Sequence, residues 1–507
     1  MFKFLFLLLL IIWSTGELAL ISVNPETNHF IDATGAAHVF RGINAVYKIF
    51  PWIPNIDEEV SWSHLNSFTQ KDIEDLKSWG TNIVRLGVMW PGVNPHQNVY
   101  NTTYLDQIEN LVNKLAQNDI YTMLDCHQDL ISRYYCGEGA PDYLIQQLTE
   151  GVRFPRPIPY EIHNDQDGYP YLDQCLNHPF WHSYFSDKVG LAFQKMYTKD
   201  SHLYLEFGKF WKMVAERFKS NPAVIGYDLI NEPWFGDLYS DPFLIWGGKA
   251  EETQISEFFT HLHDQIRKVD QNHIIFYEPV MINVFSTGFK KGPGGDSFNS
   301  KQSLSYHIYC PLVSDSGAPK SDLVCEFWDQ MFMEVRQTDI KKLKTAGVLS
   351  EYGALDESEA SLREIERINR IADYNFQSTI YWSFKHFEDI TTANRDGSEN
   401  LYYKNGTLQE AKVKALSRTY AKRIAGNPVR MRFDSDTSQF DLTFQVNSQL
   451  NSRKTEIFAN RDFYYPNGIS IEANVEGDFE ETTNSVFFIH SHELKDLTNV
   501  EINLKKK

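Results

Sequence analysis

Two glutamates stand where apolar, strand-like runs end, and their types and neighbours could do chemistry. Glu232 lies in "VIGYDLINEPWFG", where Pro233 stops the run by removing a backbone donor. Glu351 lies in "GVLSEYGA". Carboxyls that face one cavity can cleave a glycosidic bond: one protonates the leaving oxygen while the other, ionised, attacks the anomeric carbon. Their pKa values must differ, so their surroundings should differ. Neutral Asn231 and aromatic Trp234 would favour a protonated Glu232 by desolvation. A hydrogen bond from Tyr309 and the charge of Arg85 would favour a Glu351 carboxylate. A lone glutamate at a strand end more often caps a loop or pairs with a cation. Two of them, with Asn before one and Tyr after the other, favour chemistry.

The same run ends carry Arg85, His127, Asp129, Asn231, His307, Tyr309 and Trp382. His127 and His307 lack H-x-x-x-H or carboxylate–His spacing, so they are read as orienting groups and neither a metal nor an organic cofactor is expected. Trp382 is expected to floor the pocket and stack on a sugar ring. The "HLH" around His261 and the "HSH" around His490 read as surface.

These residues need a scaffold that brings strand ends together. Strand-like runs recur eight times: "HVFRGINAV", "TNIVRLGV", "IYTMLDCHQD", "VIGYDLINEP", "HIIFYEPV", "SLSYHIY", "GVLSEYGA" and "STIYWSFKH". Helical stripes separate most of them, such as Leu105, Ile108, Leu111, Val112 and Leu115, or Phe207, Phe210, Trp211, Val214 and Phe218. Thr69 can cap a helix that ends near Gly80. Eight β/α units predict a (β/α)8 TIM barrel, an α/β fold whose active residues sit at the C-terminal strand ends. An open doubly wound sheet would want a Gly-rich phosphate turn after its first strand, and the chain has none there.

Two additions interrupt the repeat. Residues 130–200 are too long for an ordinary strand-to-helix loop and rich in Pro, Tyr, Trp and His, which suits a binding wall over the barrel mouth. Thr407 and Glu410 form a capping-box pattern for a final helix expected to end at Gly426. Beyond it the period becomes two, in Phe440, Leu442, Phe444 and Val446, in Ile469 and Ile471, and in "SVFFIH" and "NVEINL". The expected domains are thus a catalytic barrel over 17–426 and a C-terminal all-β sandwich domain over 427–507, read as a packed structural companion rather than a carbohydrate-binding module.

With 48 basic and 67 acidic residues the net charge is −19, which argues against nucleic acid or an anionic membrane as partner. Residues 1–16, "MFKFLFLLLLIIWSTG", have the layout of a cleavable signal peptide, and their apolar run is short of the roughly 20 residues of a membrane span. No other stretch looks membrane-spanning. A secreted chain makes its cysteines disulfide candidates. Cys126 sits inside a strand-like run, whereas Cys136 and Cys175 bracket one loop-rich segment and Cys310 and Cys325 another; they are expected to pair that way. N-x-T sequons at Asn101 and Asn405 fit a glycosylated surface.

Together "FRGIN", "NIVRLGV", "LINEP", "YHIY", "LSEYGA" and "YWSF", over about residues 38–386, resemble family five of the glycoside hydrolases, the retaining, cellulase-type barrels of clan A. The resemblance implies Glu232 as acid/base and Glu351 as nucleophile, with Arg85, His127, Asn231, His307, Tyr309 and Trp382 around the sugar. "AVYKIFPWIP", "CHQD", "NEPWFGD" and the β tail resemble the endoglycoceramidase branch, which releases intact glycans from glycosphingolipids. That branch would use Lys48, Asp129 and Asn231 to hold the sugar next to ceramide, with Trp181 stacking on a more distant one. "WFGDLYSDPFLIW" could supply an apolar groove for the ceramide. The alternatives are a glucosylceramidase-like or β-glucanase-type hydrolase, or a non-catalytic secreted glycolipid-binding protein. The destination would be the extracellular space or a lysosomal or digestive lumen.

Overall fold

The computed structural model describes residues 18–148, 154–392 and 397–507, so the signal-like leader lies outside the described residues. Each of the eight expected runs contributes one parallel strand to a closed barrel: β1 Arg41–Ala45, β2 Ile83–Gly87, β3 Tyr121–Asp125, β4 Val224–Asp228, β5 Ile274–Tyr277, β6 Gln302–Ile308, β7 Ala346–Gly353 and β8 Ser378–Trp382. Thr379 and Tyr381 of β8 pair with Arg41 and Ile43 of β1, which closes the ring. Their residues are buried from both sides, as continuous apolar runs in a parallel sheet should be. The register shifts beside Leu349, so β7 carries an irregularity where it presents Glu351.

Helices follow the expected stripes at Gln70–Ser78, Thr102–Ala116, His202–Phe218, Ser256–Arg267 and Glu359–Tyr374. Asp72 accepts a 2.9 Å hydrogen bond from the Thr69 N–H, completing the cap. The helix Asp322–Leu343 had no legible stripe. Its buried face carries Asp329, Arg336 and Asp339 among Phe332, Met333 and Ile340, so charge interrupts the apolar period. The helix begun near Thr407 is shorter than expected: it spans Glu410–Leu416, without the Thr407 cap, and Tyr420–Ile424 is a strand.

That strand redraws the expected division at Gly426. It joins a seven-stranded sheet in the order Ser22–Asn24, His29–Ile31, Ala37–His38, Tyr420–Ile424, Lys454–Phe458, Ser485–His490, Gly477–Glu481, which faces a second sheet of Asn427–Asp434, Gln439–Gln445, Asn499–Lys506 and Ile469–Ala473. The N-terminal segment therefore belongs to the all-β unit as much as to the barrel. Arg423 pairs with Asp32 at 2.7 Å across the join. Ile21, Val23, Phe30 and Phe40 also plug the barrel floor against Ile83, Tyr121, Ile225 and Ile274. The sandwich strands alternate as expected, with Phe440, Leu442 and Phe444 inward.

The disulfides Cys136–Cys175 and Cys310–Cys325 are both formed, and Cys126 is free and buried. Two histidines read as surface are interior. His263 follows Phe259 by one helical turn and shares its buried face, and His490 continues the inward alternation of Val486 and Phe488.

Candidate active site

At the C-terminal end of the barrel the strand termini converge on Arg85, which is fully buried on β2. Its guanidinium donates through Nη1 to Glu351 Oε1 at 2.6 Å and to Asn44 Oδ1 at 3.1 Å. Nη2 donates to Asp125 and Asn231, each at 3.0 Å, and Nε to Asp228 at 2.8 Å. One planar fork thus ties β1, β2, β3, β4 and β7 together and sets the orientation of Glu351. The Tyr309 hydroxyl donates to the other Glu351 oxygen at 2.8 Å.

Glu232 follows β4 on a strained turn, with φ of 41°. Gln128 Nε2 holds that turn by donating to the carbonyls of Asn231 at 2.7 Å and Glu232 at 3.1 Å. The Glu232 N–H donates to Glu278 Oε2 at 3.0 Å. Its own carboxyl meets His307 Nδ1 at 2.8 Å, and the same nitrogen lies 3.5 Å from Glu351. On the far side of the ring, His307 Nε2 faces Glu278 at 3.3 Å. His307 therefore bridges three carboxyls. Trp234, expected beside Glu232, instead packs into the core against Tyr184 and Phe185, because its strand end turns away from the mouth.

Electrostatics follow from this packing. Burial raises both glutamates above the usual carboxylate range, Glu351 to about 7, while His307 pulls each of them down. Arg85 and the Tyr309 hydrogen bond pull down Glu351 further, and both of those hydrogen bonds go to Glu351. Burial works against a charged His307, yet Glu278, Glu351 and the Glu232 hydrogen bond push it well above its ordinary value. His127 goes the other way: burial and the nearby Lys48 hold it neutral. Its Nδ1 meets Asp125 at 2.7 Å, which assigns the proton there and leaves Nε2 to accept from a ligand hydroxyl.

A second cluster lies beside the first. Lys48 Nζ donates to Asp129 and Thr391, each at 2.7 Å, and pairs with Asp389 at 3.1 Å. It also lies 4.7 Å from the Trp382 ring, which stacks on His127 at 5.1 Å. His127, Asp129 and Glu138 have metal-ligand spacing, but the Lys48 ammonium already supplies the cation there.

Many of these groups border one cleft of about 1070 Å³. Lys48, His127, Asp129, Asn231, Glu232, Tyr309, Glu351 and Trp382 line it, Trp181 and His178 of the insert wall it, and Arg85 and His307 lie beneath. Lys48, Asp129 and Thr391 make one pole polar. Met281, Pro311 and Val313, after β5 and β6 on the opposite side, add apolar side chains, followed by Ser314, Asp315 and Ser316 of the same β6 loop. The loop "WFGDLYSDPFLIW" does not line the cleft as expected: Trp234, Phe235 and Leu244 are core, while Tyr239, Phe243, Ile245 and Trp246 face solvent.

Asp125, Asp228, Gln128 and Glu278 escaped the sequence reading. A signal existed for Glu278, whose Glu-Pro in "FYEPV" repeats the strand-end pattern of Glu232. Asp125 and Asp228 lie inside apolar runs, where nothing local announces a buried arginine.

Residues 31–388 match the model of cellulase, glycosyl hydrolase family 5, and residues 418–503 match the glycoside hydrolase family 5 C-terminal domain. The endoglycoceramidases of Cyanea nozakii and Hydra vulgaris are each 33% identical over 491 residues, covering 96% of this chain and 94% and 89% of their own lengths. Endo-glycoceramidase II from Rhodococcus sp., in its ganglioside GM3 complex, superposes with a TM-score of 0.74 at 22% identity, covering 94% of this chain and 99% of that one, and shares the fold.

Proposed function

That the chain belongs to glycosyl hydrolase family 5 is the premise from which we propose that it hydrolyses the linkage between the oligosaccharide and the ceramide of glycosphingolipids, with retention at the anomeric carbon. The observation that carries this reading is the cleft itself, in which the carboxyl pair shares one space with the polar side chains of Lys48, Asp129 and Thr391 and the apolar ones of Met281, Pro311 and Val313. The two full-length relatives bearing the endoglycoceramidase name support it.

Carboxyl oxygens of Glu232 and Glu351 lie within 4.8 Å of one another. That bound agrees with the closer spacing of retaining enzymes, roughly 5–5.5 Å, rather than with the roughly 6.5–9.5 Å at which an inverting pair holds its water. Glu351, oriented by Arg85 and Tyr309, attacks the anomeric carbon as the bond to the ceramide oxygen breaks. Glu232 gives its proton to that oxygen. Water then enters, loses a proton to Glu232, and releases the glycan from Glu351. Lys48, Asp129, His127 and Asn231 orient the hydroxyls of the first sugar, and Trp382 supplies an aromatic face beside them.

A single-sugar reading has some support, since a glucosylceramidase of Rhizopus delemar is 24% identical over 42% of this chain. The cleft volume of about 1070 Å³ is at the upper end of the roughly 300–1,000 Å³ of small-ligand sites and continues to Trp181, which suits several rings. Product analysis decides between them. Incubation with a ganglioside, glucosylceramide and a soluble β-glucan should give an intact oligosaccharide and free ceramide from the first. Stepwise monosaccharide release, or equal rates on the β-glucan, would overturn the proposal.

The chain is further read as secreted or delivered to a lysosomal or digestive lumen. Two formed disulfides suit an oxidising compartment, and Asn101 and Asn405 are both exposed for glycosylation. No helix among the described residues is long and apolar enough to cross a membrane. N-terminal sequencing and glycosidase treatment of the expressed protein test cleavage near Gly16 and the two sequons.

A further inference from the structure

Glu138 is a buried carboxyl, 2% exposed, that takes no part in the displacement proposed above. It stands directly across from Asp129. The Glu138 N–H donates to the Asp129 carbonyl at 2.8 Å, and the Asp129 N–H donates back to the Glu138 carbonyl at 3.1 Å. The chain between them is held in a closed turn. Leu130 and Ile131 adopt φ of 56° and 62°, a Cβ on Gly137 would fall 1.9 Å from the Asp129 carbonyl oxygen, and Cys136 is bonded to Cys175. This pairing brings carboxyl oxygens of Asp129 and Glu138 and a ring nitrogen of His127 within 4.8 Å of one another.

The two side chains have unequal partners. Asp129 Oδ2 accepts from Lys48 and Thr391, and its Oδ1 accepts from the Tyr184 hydroxyl at 3.3 Å. Among the described residues no donor makes a hydrogen bond to either oxygen of Glu138, and Lys48 lies 3.7 Å away. One ammonium thus faces three carboxyls, Asp129, Asp389 and Glu138, with the Tyr184 hydroxyl and the neutral His127 ring beside them. An ionised Glu138 would be a buried charge without a hydrogen bond, competing with Asp129 for the same lysine. A protonated one has a donor to give. We propose that Glu138 is a positioning residue for the sugar pocket, sharing its proton with Asp129 so that Asp129 and Lys48 keep their geometry toward the first sugar. The proposal rests on the reading above in which Asp129 orients that sugar. Burial pushes Glu138 well above the usual carboxylate range; Lys48 opposes this, and the Asp129 and Asp389 charges add to it. Ionisation at higher pH would place a second charge beside Asp129 and draw Lys48 away, so sugar affinity should fall on the alkaline side.

The test compares Glu138→Gln, which keeps a neutral donor of the same size, with Glu138→Leu, which removes it. Lactose binding to the full-length protein, followed by ligand-observed NMR across a pH series, reads the pocket without turnover. The parent should bind more weakly as pH rises. Glu138→Gln should match the parent at acid pH and flatten the alkaline decline. Glu138→Leu should bind about tenfold more weakly throughout. On a water-soluble aryl lactoside its loss should appear in KM more than in kcat. Parent-like affinity in Glu138→Leu, or a decline in Glu138→Gln as steep as the parent's, would overturn the proposal whatever either variant does to stability, because a purely structural residue leaves the affinity of the folded protein unmoved. A parent that binds no lactose at any pH would overturn it together with the pocket. Lactose binding with the expected pH dependence, but no glycan released from any glycolipid, would instead uphold the role of Glu138 and sink the proposed reaction.

Discussion

Glu232 and Glu351 place carboxyl oxygens within 4.8 Å of each other, and His307 Nδ1 stands 2.8 Å from the first and 3.5 Å from the second. Arg85 and Tyr309 donate to Glu351, so the shared histidine is joined by two groups that favour an ionised Glu351, the proposed nucleophile. Glu351→Gln should abolish turnover on every substrate, because no glycosyl–enzyme bond can form. Glu232→Gln should cost about 10²–10⁴-fold on lipid glycosides and much less on aryl glycosides, whose leaving groups need little protonation. A 2-deoxy-2-fluoro glycoside should label Glu351; peptide mapping that finds the label on Glu232 reverses the roles.

The pH profile follows from the same contacts. Glu351 is raised to about 7, so its reactive carboxylate is lost as pH falls through that region. Glu232 is also raised by burial, and the proposed roles require it, as the acid, to keep its proton after Glu351 has lost its own, so it would supply the alkaline limb. A bell-shaped kcat/KM is expected, with limbs that belong to the coupled pair. On a substrate with an activated leaving group the alkaline limb should flatten while the acid limb stays. An acid limb that vanishes on the activated substrate would assign it to Glu232 instead.

Glu278 acts through its neighbours. It accepts from the strained Glu232 N–H and faces His307 Nε2, whose other nitrogen sees Glu232 and Glu351. Glu278→Gln keeps an acceptor for the N–H but removes the charge that helps hold His307 protonated. His307 would then pull less on Glu351, and the acid limb should move to higher pH with kcat reduced. An unshifted profile with normal folding would show that Glu278 serves only to hold the turn and its partner Arg85.

Lys48 is 2% exposed and pairs with Asp129, Asp389 and Glu138. Lys48→Met leaves those carboxyls without their cation, and removing one partner of a buried ion pair costs about 3–5 kcal/mol. Denaturant unfolding should show that loss, together with a raised KM at the polar pole. A variant of parent stability would mean that the acids are protonated or solvated when the lysine is gone.

The Cys136–Cys175 bridge closes a 39-residue separation and the Cys310–Cys325 bridge one of 15. Loop-closure entropy puts them at about 4 and about 3 kcal/mol respectively. Loss of the first should also loosen the wall that carries Trp181, so KM should rise more for long glycans than for a lactoside. Equal effects on both substrates would remove Trp181 from the distal site.

The barrel was legible in the chain because local signals specify it. A strand buried on both faces must be an apolar run, and an outer helix must carry a stripe, so all eight strands and most helices could be read from neighbours alone. The formed disulfides followed from the loop-rich segments that their cysteines bracket. Signals failed where long-range partners substitute for local pattern. The buried face of Asp322–Leu343 is part charge, acceptable only because Arg336 and Asp339 pair within it. Tyr420–Ile424 is a strand because residue 38 lies beside residue 423, a contact that no window of sequence contains. The same holds at the site. Strand ends identified Glu232 and Glu351 as candidates, since a parallel barrel points those ends at one mouth. Only the folded chain could bring Glu278 against both His307 and the Glu232 N–H, or turn Trp234 into the core and leave Trp246 to solvent, because side-chain direction beyond a strand is set by packing against residues distant in sequence.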